Sequence, residues 1–307
     1  MRYVGIGRES TQGNPVAPQV FIDPRRFDVR PVFEERAIET VASRFPRLRH
    51  LGGLRVEGEV EGLFGPDAFS MLALAMTLGR VDSTGSDGYF VHSFVPVERW
   101  ESFPTFTVEL RDEGVTRVVA GAFGNSMELS LRPDEPATAS LEFLGLNELP
   151  GSPRSPSFSR VHPVRPEDVV CLIGGEQVEL EELTLRLEND LSSDHYVIGS
   201  RTLRRHELGG LSVTGTFSGR FGSRAHLDRF LSGQETSISV RMRSGSVAQG
   251  IDREVVVELP RVCYSSWSCE VVPSERSVQE VEFRALATPQ GEPPVRFRVQ
   301  TEEQLPG

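Results

Sequence analysis

Residues whose side chains could perform chemistry are scattered along this 307-residue chain. A zinc site normally needs closely spaced histidine or cysteine ligands. The cysteines, Cys171, Cys263 and Cys269, contain no CxxC pair, and their odd number argues against a disulfide framework. The histidines form neither HxxxH nor HExxH and lie at His50, His92, His162, His195, His206 and His226. We therefore expect no metal site, and we expect the cysteines to be small buried apolar residues.

Motifs for catalysis or cofactor binding are incomplete. The segment "GIGRES" lacks the third glycine of a dinucleotide-binding fingerprint, and the serines of "YSSWSCE" do not form G-x-S-x-G. A glycine-rich stretch at residues 51–65 lacks the Lys-Ser/Thr pair of a phosphate-binding loop. Adjacent acids such as Glu181 and Glu182 are typical of solvated strands or turns. The sequence predicts no catalytic residue and no cofactor.

Charge and hydropathy limit the partners. The formal net charge is −11, and all 33 basic residues are arginine. Duplex DNA is bound through clustered cations that release counterions, so an acidic chain is a poor DNA binder. No apolar run approaches the roughly 20 residues that span a bilayer, and the N-terminus lacks the apolar core of a signal peptide. We expect a soluble protein, made in a cytoplasm, without a membrane partner.

A long internal repeat indicates the domain organisation. The stretch "LGGLRVEGEVEGLFG" begins at Leu51, and "LGGLSVTGTFSGRFG" begins 157 positions later at Leu208. A second pair, "SLEFLGL" at Ser140 and "EVEFRAL" at Glu280, has an offset of 140. These offsets exceed the roughly 20–50 residues of solenoid repeats, so a whole domain is predicted to be duplicated. We expect domains at 1–148 and 167–307, joined by a proline-rich linker at 149–166.

Secondary structure follows from periodicity. Segments such as "FTVEL", "SMELSL", "LTLRL", "ISVRM" and "VRFRV" alternate apolar and polar residues, which is typical of half-buried antiparallel strands. Directly after each glycine-rich stretch, "PDAFSMLALAMTLG" and "SRAHLDRFLSG" predict one helix per domain. The first helix is apolar almost all round, so we expect it to be covered on several sides, in part by another subunit. The predicted fold is mainly β: two tandem β-sandwich or barrel domains, each with one flanking α-helix.

The repeated stretch itself alternates between two faces. Its glycines recur at equivalent positions, and glycine inside a strand usually marks a bend, a bulge or a close approach. We interpret these six glycines as one structural bend that is needed twice: Gly58, Gly62 and Gly65, then Gly215, Gly219 and Gly222. The outer face differs between the copies, with Glu57, Glu59 and Glu61 in the first and Thr214 and Thr216 in the second.

Ordered motifs along most of the chain resemble the major tail tube proteins of long-tailed bacteriophages. The motifs are "GIGRESTQGNPVAP", "GEVEGLFGPDAFSMLALAMTLG", "YFVHSFVP", "FPTFTVEL", "GAFGNSMELSL", "ATASLEFLGL", "VELEELTLRLENDL" and "YVIGSR". The resemblance implies a β-sandwich with a flanking helix, whose subunits close into rings and stack into a tube that conducts the genome. It further implies a structural protein of the virion tail, assembled in the host cytoplasm. Its expected partners are copies of itself and the tape measure, tail tip and terminator proteins.

Two domains per chain make a specific prediction for the ring. A head-to-tail contact closes only if its rotation divides a full turn, so three two-domain chains would form a ring of six similar units. Phage DNA would pass through without specific binding, and an acidic wall would favour that passage. We predict that Glu57, Glu59, Glu61, Thr214 and Thr216 face the lumen; the alternative is a solvated outer face.

Stacking between rings requires projecting segments. The candidates are an N-terminal arm at about 1–25 and a long loop at about 79–103, which carries Tyr89, Phe90 and Trp100. Core packing is the alternative role of these aromatic residues. Two other functions stay open: another virion ring component, such as a tail terminator or baseplate protein, and a carbohydrate-binding tandem β-sandwich. The latter would expose tryptophans on both copies, yet Trp100 and Trp267 are at non-equivalent places.

Overall fold

The computed structural model describes residues 1–39, 41, 44–46, 48–86, 88–99, 103–192, 195–248, 250–270 and 277–305. The fold of these residues is mainly β and of the sandwich type, as the alternating pattern predicts. Every pairing between named strands is antiparallel.

The strands of the first half of the chain are β1 (Tyr3–Arg8), β2 (Val20–Ile22), β3 (Arg26–Ile38), β4 (Leu48–Leu63), β5 (Gly79–Ser86), β6 (Tyr89–Pro96), β7 (Phe106–Asp112), β8 (Val115–Arg132), β9 (Glu135–Gly145) and β10 (Asn147–Pro150). Those of the second half are β11 (Val169–Ile173), β12 (Glu176–Gln177), β13 (Glu182–Glu188), β14 (Ser212–Arg220), β15 (Thr236–Ala248), β16 (Ile251–Glu270), β17 (Val278–Ala285) and β18 (Arg296–Thr301). A short 3₁₀ helix at Pro166–Asp168 precedes β11.

Three groups of strands build the molecule. The first is β2-β1-β7-β8-β10, and the second is β12-β11-β15-β16-β18-β6-β5. The third, which we call the central sheet, has the order β3-β4-β9-β8-β13-β14-β17-β16. The long strands β8 and β16 each take part in two groups, because their first and last parts pair with different strands. The central sheet therefore runs without interruption through both halves of the chain.

The helix α1 (Ala68–Leu78) is buried along its whole length, and its cover comes from this chain itself. Asp67 caps its N-terminus by accepting a hydrogen bond from the Ser70 N–H at 3.1 Å, and Gly79 ends it with a φ of 84°. The helix α2 (Ala225–Ser232) is amphipathic and lies against β16, and Gly233 ends it in the left-handed conformation. Its N-cap residue is Arg224, without a side-chain cap, so the helix begins one residue later than a Ser223 cap would place it.

Two predicted projecting segments are parts of the sheets. In the N-terminal segment, β1 pairs with β2 and β7, and Tyr3 and Val4 are fully buried. The predicted long loop 79–103 contains two strands, because β5 pairs with β6 from Gly79, opposite Pro96, to Ser86, opposite Tyr89. Gly88 has a φ of 88°. The glycine and serine content of this segment is what predicts a loop there.

The proline-rich segment packs along the first half of the chain. Val164 is fully buried and its carbonyl accepts a hydrogen bond from the Ala137 N–H at 3.0 Å. The Ser159 N–H donates to the Phe21 carbonyl at 3.1 Å, and Arg154 contacts Glu109 at 2.9 Å. These contacts hold the segment in place between β10 and the 3₁₀ helix.

Candidate assembly surface

The central sheet has one apolar and one polar face. The apolar face packs into the core through residues such as Val60, Phe143, Leu185 and Phe283. The strand registers place Glu57, Glu59, Glu61, Thr214 and Thr216 together on the opposite face. The residues predicted to face a lumen thus belong to one surface of one sheet, although β4 and β14 lie far apart in sequence.

Ion pairs organise the glutamates of β4. Glu57 accepts hydrogen bonds from Arg30 at 2.9 Å and from Arg55 at 2.9 Å. Partial burial by itself raises the pKa of Glu57, but these two arginines outweigh it and the net pKa is lowered. Glu59 lies 3.7 Å from Arg26 and accepts a hydrogen bond from Ser140 at 3.2 Å. Both carboxylates are therefore held against the sheet, and the lowered pKa favours the ionised form of Glu57.

Acidic side chains outnumber arginines on this polar face. The acids are Asp28, Glu57, Glu59, Glu61, Glu128, Glu142, Glu182, Glu188, Glu270, Glu280 and Glu282, and the arginines are Arg26, Arg30, Arg55, Arg132, Arg186, Arg220 and Arg284. Glu59 and Glu142 are direct cross-strand partners, an arrangement in which like charges destabilise a sheet. The surface consequently carries a negative field that packing alone does not require.

The pairing of β8 with β13 joins the two halves of the central sheet. Leu183, Leu185 and Leu187 lie opposite Leu131, Leu129 and Met127, all buried on the apolar face. On the polar face, Arg186 lies between three carboxylates, 3.5 Å from Glu128, 3.5 Å from Glu188 and 4.0 Å from Glu142. We call this pairing the internal joint.

A buried asparagine anchors the internal joint to α1. The Asn189 side-chain amide donates hydrogen bonds to the carbonyls of Thr77 and Gly124, each at 2.8 Å. Its backbone N–H donates to the Asn125 carbonyl at 2.8 Å. The amide satisfies a carbonyl at the C-terminal end of α1, which otherwise lacks a partner within the helix. Nothing in the spacing of Asn189 in the sequence indicates this role.

The six repeated glycines have different surroundings. A Cβ on Gly58 would lie 2.1 Å from Cζ of Phe143, and one on Gly215 would lie 2.4 Å from Cζ of Phe283. Each phenylalanine is the direct cross-strand partner of its glycine, so both rings lie over a bare backbone. The φ angles of these glycines are not in the left-handed region. At this pair of positions, the space above the backbone is what requires glycine.

At the other repeated positions the neighbours differ between the copies. A Cβ on Gly62 would lie 2.7 Å from the Phe69 ring, and one on Gly65 would lie 2.1 Å from the His162 carbonyl oxygen. A Cβ on Gly219 would lie 3.1 Å from the Glu179 carbonyl oxygen, and one on Gly222 would meet nothing within 4 Å. The interpretation of all six as one repeated bend stays a prediction.

The aromatic residues proposed for stacking lie mainly on β6. Tyr89 and Phe90 are half-buried, and the Phe90 ring stacks on His92 at a centroid distance of 5.9 Å. His92 in turn hydrogen-bonds Ser83 at 2.8 Å and the Glu303 carbonyl at 2.9 Å. Trp100 lies outside the described residues. Their role in contacts between rings stays a prediction.

Two apolar side chains lie fully exposed in connections between strands, and the motifs of the sequence do not indicate them. Val41 and Ile198 are fully exposed, with relative exposures of 109% and 108%. They lie in the connections β3–β4 and β13–β14, and they are separated by the repeat offset. The observation that could have revealed them is that the repeat continues upstream of Leu51 and Leu208, where both copies carry an apolar residue in a polar connection.

The described residues contain no group of three or more His, Cys, Asp and Glu side chains that could hold a metal ion. All three cysteines are free thiols. His206 is buried against Phe123, and this burial lowers its pKa to about 4, as expected for a neutral core histidine. Within the described part of the chain, no helix is both long and apolar enough to cross a membrane.

Comparison with known proteins gives one assignment. A family model described as phage tail tube protein matches residues 2–293. A search among curated proteins finds no match.

Proposed function

This chain belongs to the phage tail tube protein family, and on that premise we propose that it is the major tail tube subunit, forming trimeric, pseudo-hexameric rings that stack into a conduit for DNA ejection. Membership of the family makes it a structural, non-enzymatic protein of the virion tail that assembles with itself and with other tail proteins. The ring of three, the conduit and the tape measure, tail tip and terminator proteins as partners are our proposal.

The order of the central sheet is the observation that supports three chains per ring. Its first four strands, β3-β4-β9-β8, correspond to the next four, β13-β14-β17-β16. The registers correspond as well, because Gly58 lies opposite Phe143 and Gly215 lies opposite Phe283. These pairs have the offsets of 157 and 140 that the sequence repeats have. Both halves also have a register shift at the same place, at Gly124/Ser126 and at Tyr264/Ser266.

This correspondence supports duplication of a domain, with one four-stranded unit per copy. Each chain then supplies two similar units to a ring, and three chains supply six. A rotation of one sixth of a turn at each joint closes such a ring, which is the condition for a closed head-to-tail assembly.

The dimensions of such a ring favour an inward polar face. Eight strands from each of three chains would form a barrel of twenty-four strands, with a backbone diameter of about 50 Å for a spacing of about 4.8 Å and a tilt of about 40°. An inward second layer of strands and helix, each about 10 Å thick, would reduce this bore to about 10 Å. Such a bore is narrower than a DNA duplex, whose major groove alone is about 12 Å wide. We therefore place the second layer outside, with the polar face of the central sheet towards the lumen.

The acid surplus of that face suits a conduit. Coulomb forces between exposed charges are screened over about 8 Å at physiological ionic strength, so the wall acts on DNA only at close range. In a narrow bore the phosphates lie that close, and repulsion keeps the genome from adhering while it moves. The proposed lumen residues are Glu57, Glu59, Glu61, Thr214 and Thr216.

For stacking, the exposed apolar tips are the additional candidates. Val41 and Ile198 would recur six times around a ring of three chains, at equivalent positions. An apolar ring of contacts on one rim is suited to docking on the next ring, because burial of these side chains removes apolar surface from water.

Electron microscopy of the purified subunit, with and without a tail-initiating partner, tests this function. We expect tubes whose class averages show three chains per ring. Six chains per ring would overturn the trimeric ring, and isolated rings that never stack would indicate a terminator or baseplate component. Val41→Asp combined with Ile198→Asp should leave rings and abolish tubes; normal tubes from this variant would exclude the tips from stacking.

A further inference from the structure

We propose that the outer edge of β3 in one chain pairs, in antiparallel orientation, with the end of β16 in a second copy of the chain, in the register of the internal joint. This inference rests on the proposed ring of three chains.

The first edge is the side of β3 that faces away from β4. The Phe64 N–H donates a hydrogen bond to the Ala137 carbonyl, in register with the pairing of β4 and β9. Backbone hydrogen bonds alternate between the two sides of a strand, so even-numbered residues of β4 form theirs with β9 and odd-numbered residues form theirs with β3. Their partners on β3 are even-numbered, which leaves the backbone groups of residues such as Val29 directed outwards. The Val29 carbonyl indeed accepts a hydrogen bond from the Arg117 guanidinium at 2.8 Å, and not from β4.

The second edge is the end of β16. From Val262 to Glu270 this strand pairs with β17, whereas β15 on its other side reaches only as far as Val262. Among the described residues, no strand pairs with the other side of Ser266–Glu270. In the first half of the chain, the corresponding end of β8 lies between β9 and β13. The end of β16 therefore lacks the neighbour that its counterpart has.

The missing neighbour can be identified from the strand order. The strand that pairs with the end of β8 is β13, and the counterpart of β13 in the first half of the chain is β3. Both have the same irregular start: Glu181 N–H donates to the Ser218 carbonyl and Arg25 N–H donates to the Glu61 carbonyl, each at 2.9 Å. Within the described part of the chain, β3 pairs with β4 alone. Its other side therefore has the geometry that fits the open end of β16.

The register follows from the same correspondence. Leu185 and Val29 are equivalent because they lie opposite Gly215 and Gly58. Met127 lies opposite Leu141, and Trp267 lies opposite Val281 in the same way, so Met127 and Trp267 are equivalent. Two residues further along, Leu129 is therefore equivalent to Cys269. Because Leu185 lies opposite Leu129 in the internal joint, Val29 lies opposite Cys269 of the second copy.

The side chains along this line are compatible with pairing. Arg186, which approaches Glu142 at the internal joint, corresponds to Arg30, and Glu142 corresponds to Glu282. Arg30 therefore approaches Glu282 of the second copy across the joint between chains. On the apolar face, the half-buried Trp267 and Cys269 gain cover from β3.

The free edge is also protected, as the edges of soluble subunits must be. Pro31 corresponds to Leu187 and lacks an N–H, so the joint between chains has one ladder hydrogen bond fewer than the internal joint. Arg117 occupies the Val29 carbonyl, whose second lone pair stays available to a strand. These features make the pairing of β3 with a second copy weaker than the internal joint, so this pairing forms only during assembly.

A disulfide tests the register. Val29→Cys is placed in a Cys263→Ser background, where Cys269 is the intended partner; Cys171 is retained because burial raises its pKa to about 12 and keeps the thiol unreactive. Cross-strand partners lie within the Cα separation that a disulfide allows. After mild oxidation of assembled tubes, we expect a denaturing gel without reductant to show loss of most of the monomer band and linked species up to three chains.

The matched control is Phe33→Cys in the same background. Phe33 lies on the same edge and face, but four residues further along β3, beyond the reach of Cys269. Tubes with three chains per ring that give no linkage from Val29→Cys, or equal linkage from both variants, would overturn the joint and leave the proposed function intact. Absence of rings and tubes from the unmodified chain would instead reject the proposed function.

If Val29→Cys fails to fold, a charge exchange tests the pairing of β3 with β16 of a second copy. Because Arg30 also pairs with Glu57 within the chain, the exchange starts from the other partner. Glu282→Arg should abolish tube formation, and adding Arg30→Glu should restore it, because Arg30 and Glu282 meet only between chains. Failure of the second substitution to restore tubes would contradict the proposed pairing.

Discussion

Replacing Gly58 by alanine tests whether the repeated glycines exist to receive aromatic rings. The new methyl carbon would lie 2.1 Å from Cζ of Phe143, far inside a normal contact of about 3.5–4 Å. Phe143 is only 1% exposed and packs in the core, so its ring cannot swing into solvent. Overpacking of a tight core costs about 1–3 kcal/mol, and the size of this overlap favours the upper end. At about 2–4 °C per kcal/mol, the melting temperature should fall by about 6 °C or more.

Thermal unfolding of the unassembled subunit measures this loss, with Gly222→Ala as the matched control. Gly222 occupies the third repeated position in the second copy, and a Cβ there would meet nothing within 4 Å. The control should therefore be neutral or slightly stabilising, because alanine restricts the unfolded chain. Combining Gly58→Ala with Phe143→Leu should cost less than the sum of the single losses, since the ring that clashes is gone. If Gly58→Ala has the same melting temperature as Gly222→Ala, the Phe143 ring does not explain why residue 58 is glycine. That result would favour the interpretation of Gly58 as part of a bend.

Two further predictions concern charge. Burial raises the pKa of the Asp67 carboxyl to about 7 from 3.8, so the folded subunit binds an extra proton between these values. This contribution, roughly 4 kcal/mol, is complete below about pH 4 and is lost as the pH rises through about 7. Asp67→Asn should therefore reduce the fall of the melting temperature between pH 4 and 8. An unchanged fall would contradict the raised pKa of Asp67. Replacing Glu57, Glu59 and Glu61 by arginine should slow genome ejection from intact virions, with glutamine at all three positions as the uncharged control, and ejection at the normal rate would refute their place in the lumen.

The sequence by itself determined the mainly β fold and the family. Alternation of apolar and polar residues follows from the two-residue period of a strand, so a segment such as "FTVEL" predicts a strand without information from the rest of the chain. The signals for the two helices are also local, because caps and stop residues such as Asp67, Gly79 and Gly233 act within one helical turn. Alternation also defines the two faces of β4 and β14, so the sequence predicts the acidic face without knowledge of its neighbours.

Only the tertiary structure decided which strands meet. The pairing of β8 with β13 brings together segments about fifty residues apart through backbone hydrogen bonds that no side-chain pattern encodes. The same holds for the phenylalanines over Gly58 and Gly215, because a contact between strands depends on register and not on spacing along the chain. Segment 79–103 has the composition of a polar loop, yet it contains β5 and β6, because their pairing depends on register and not on composition. The open edges of β3 and β16 exist only as positions in a completed sheet, because an edge is defined by the neighbour that a strand lacks.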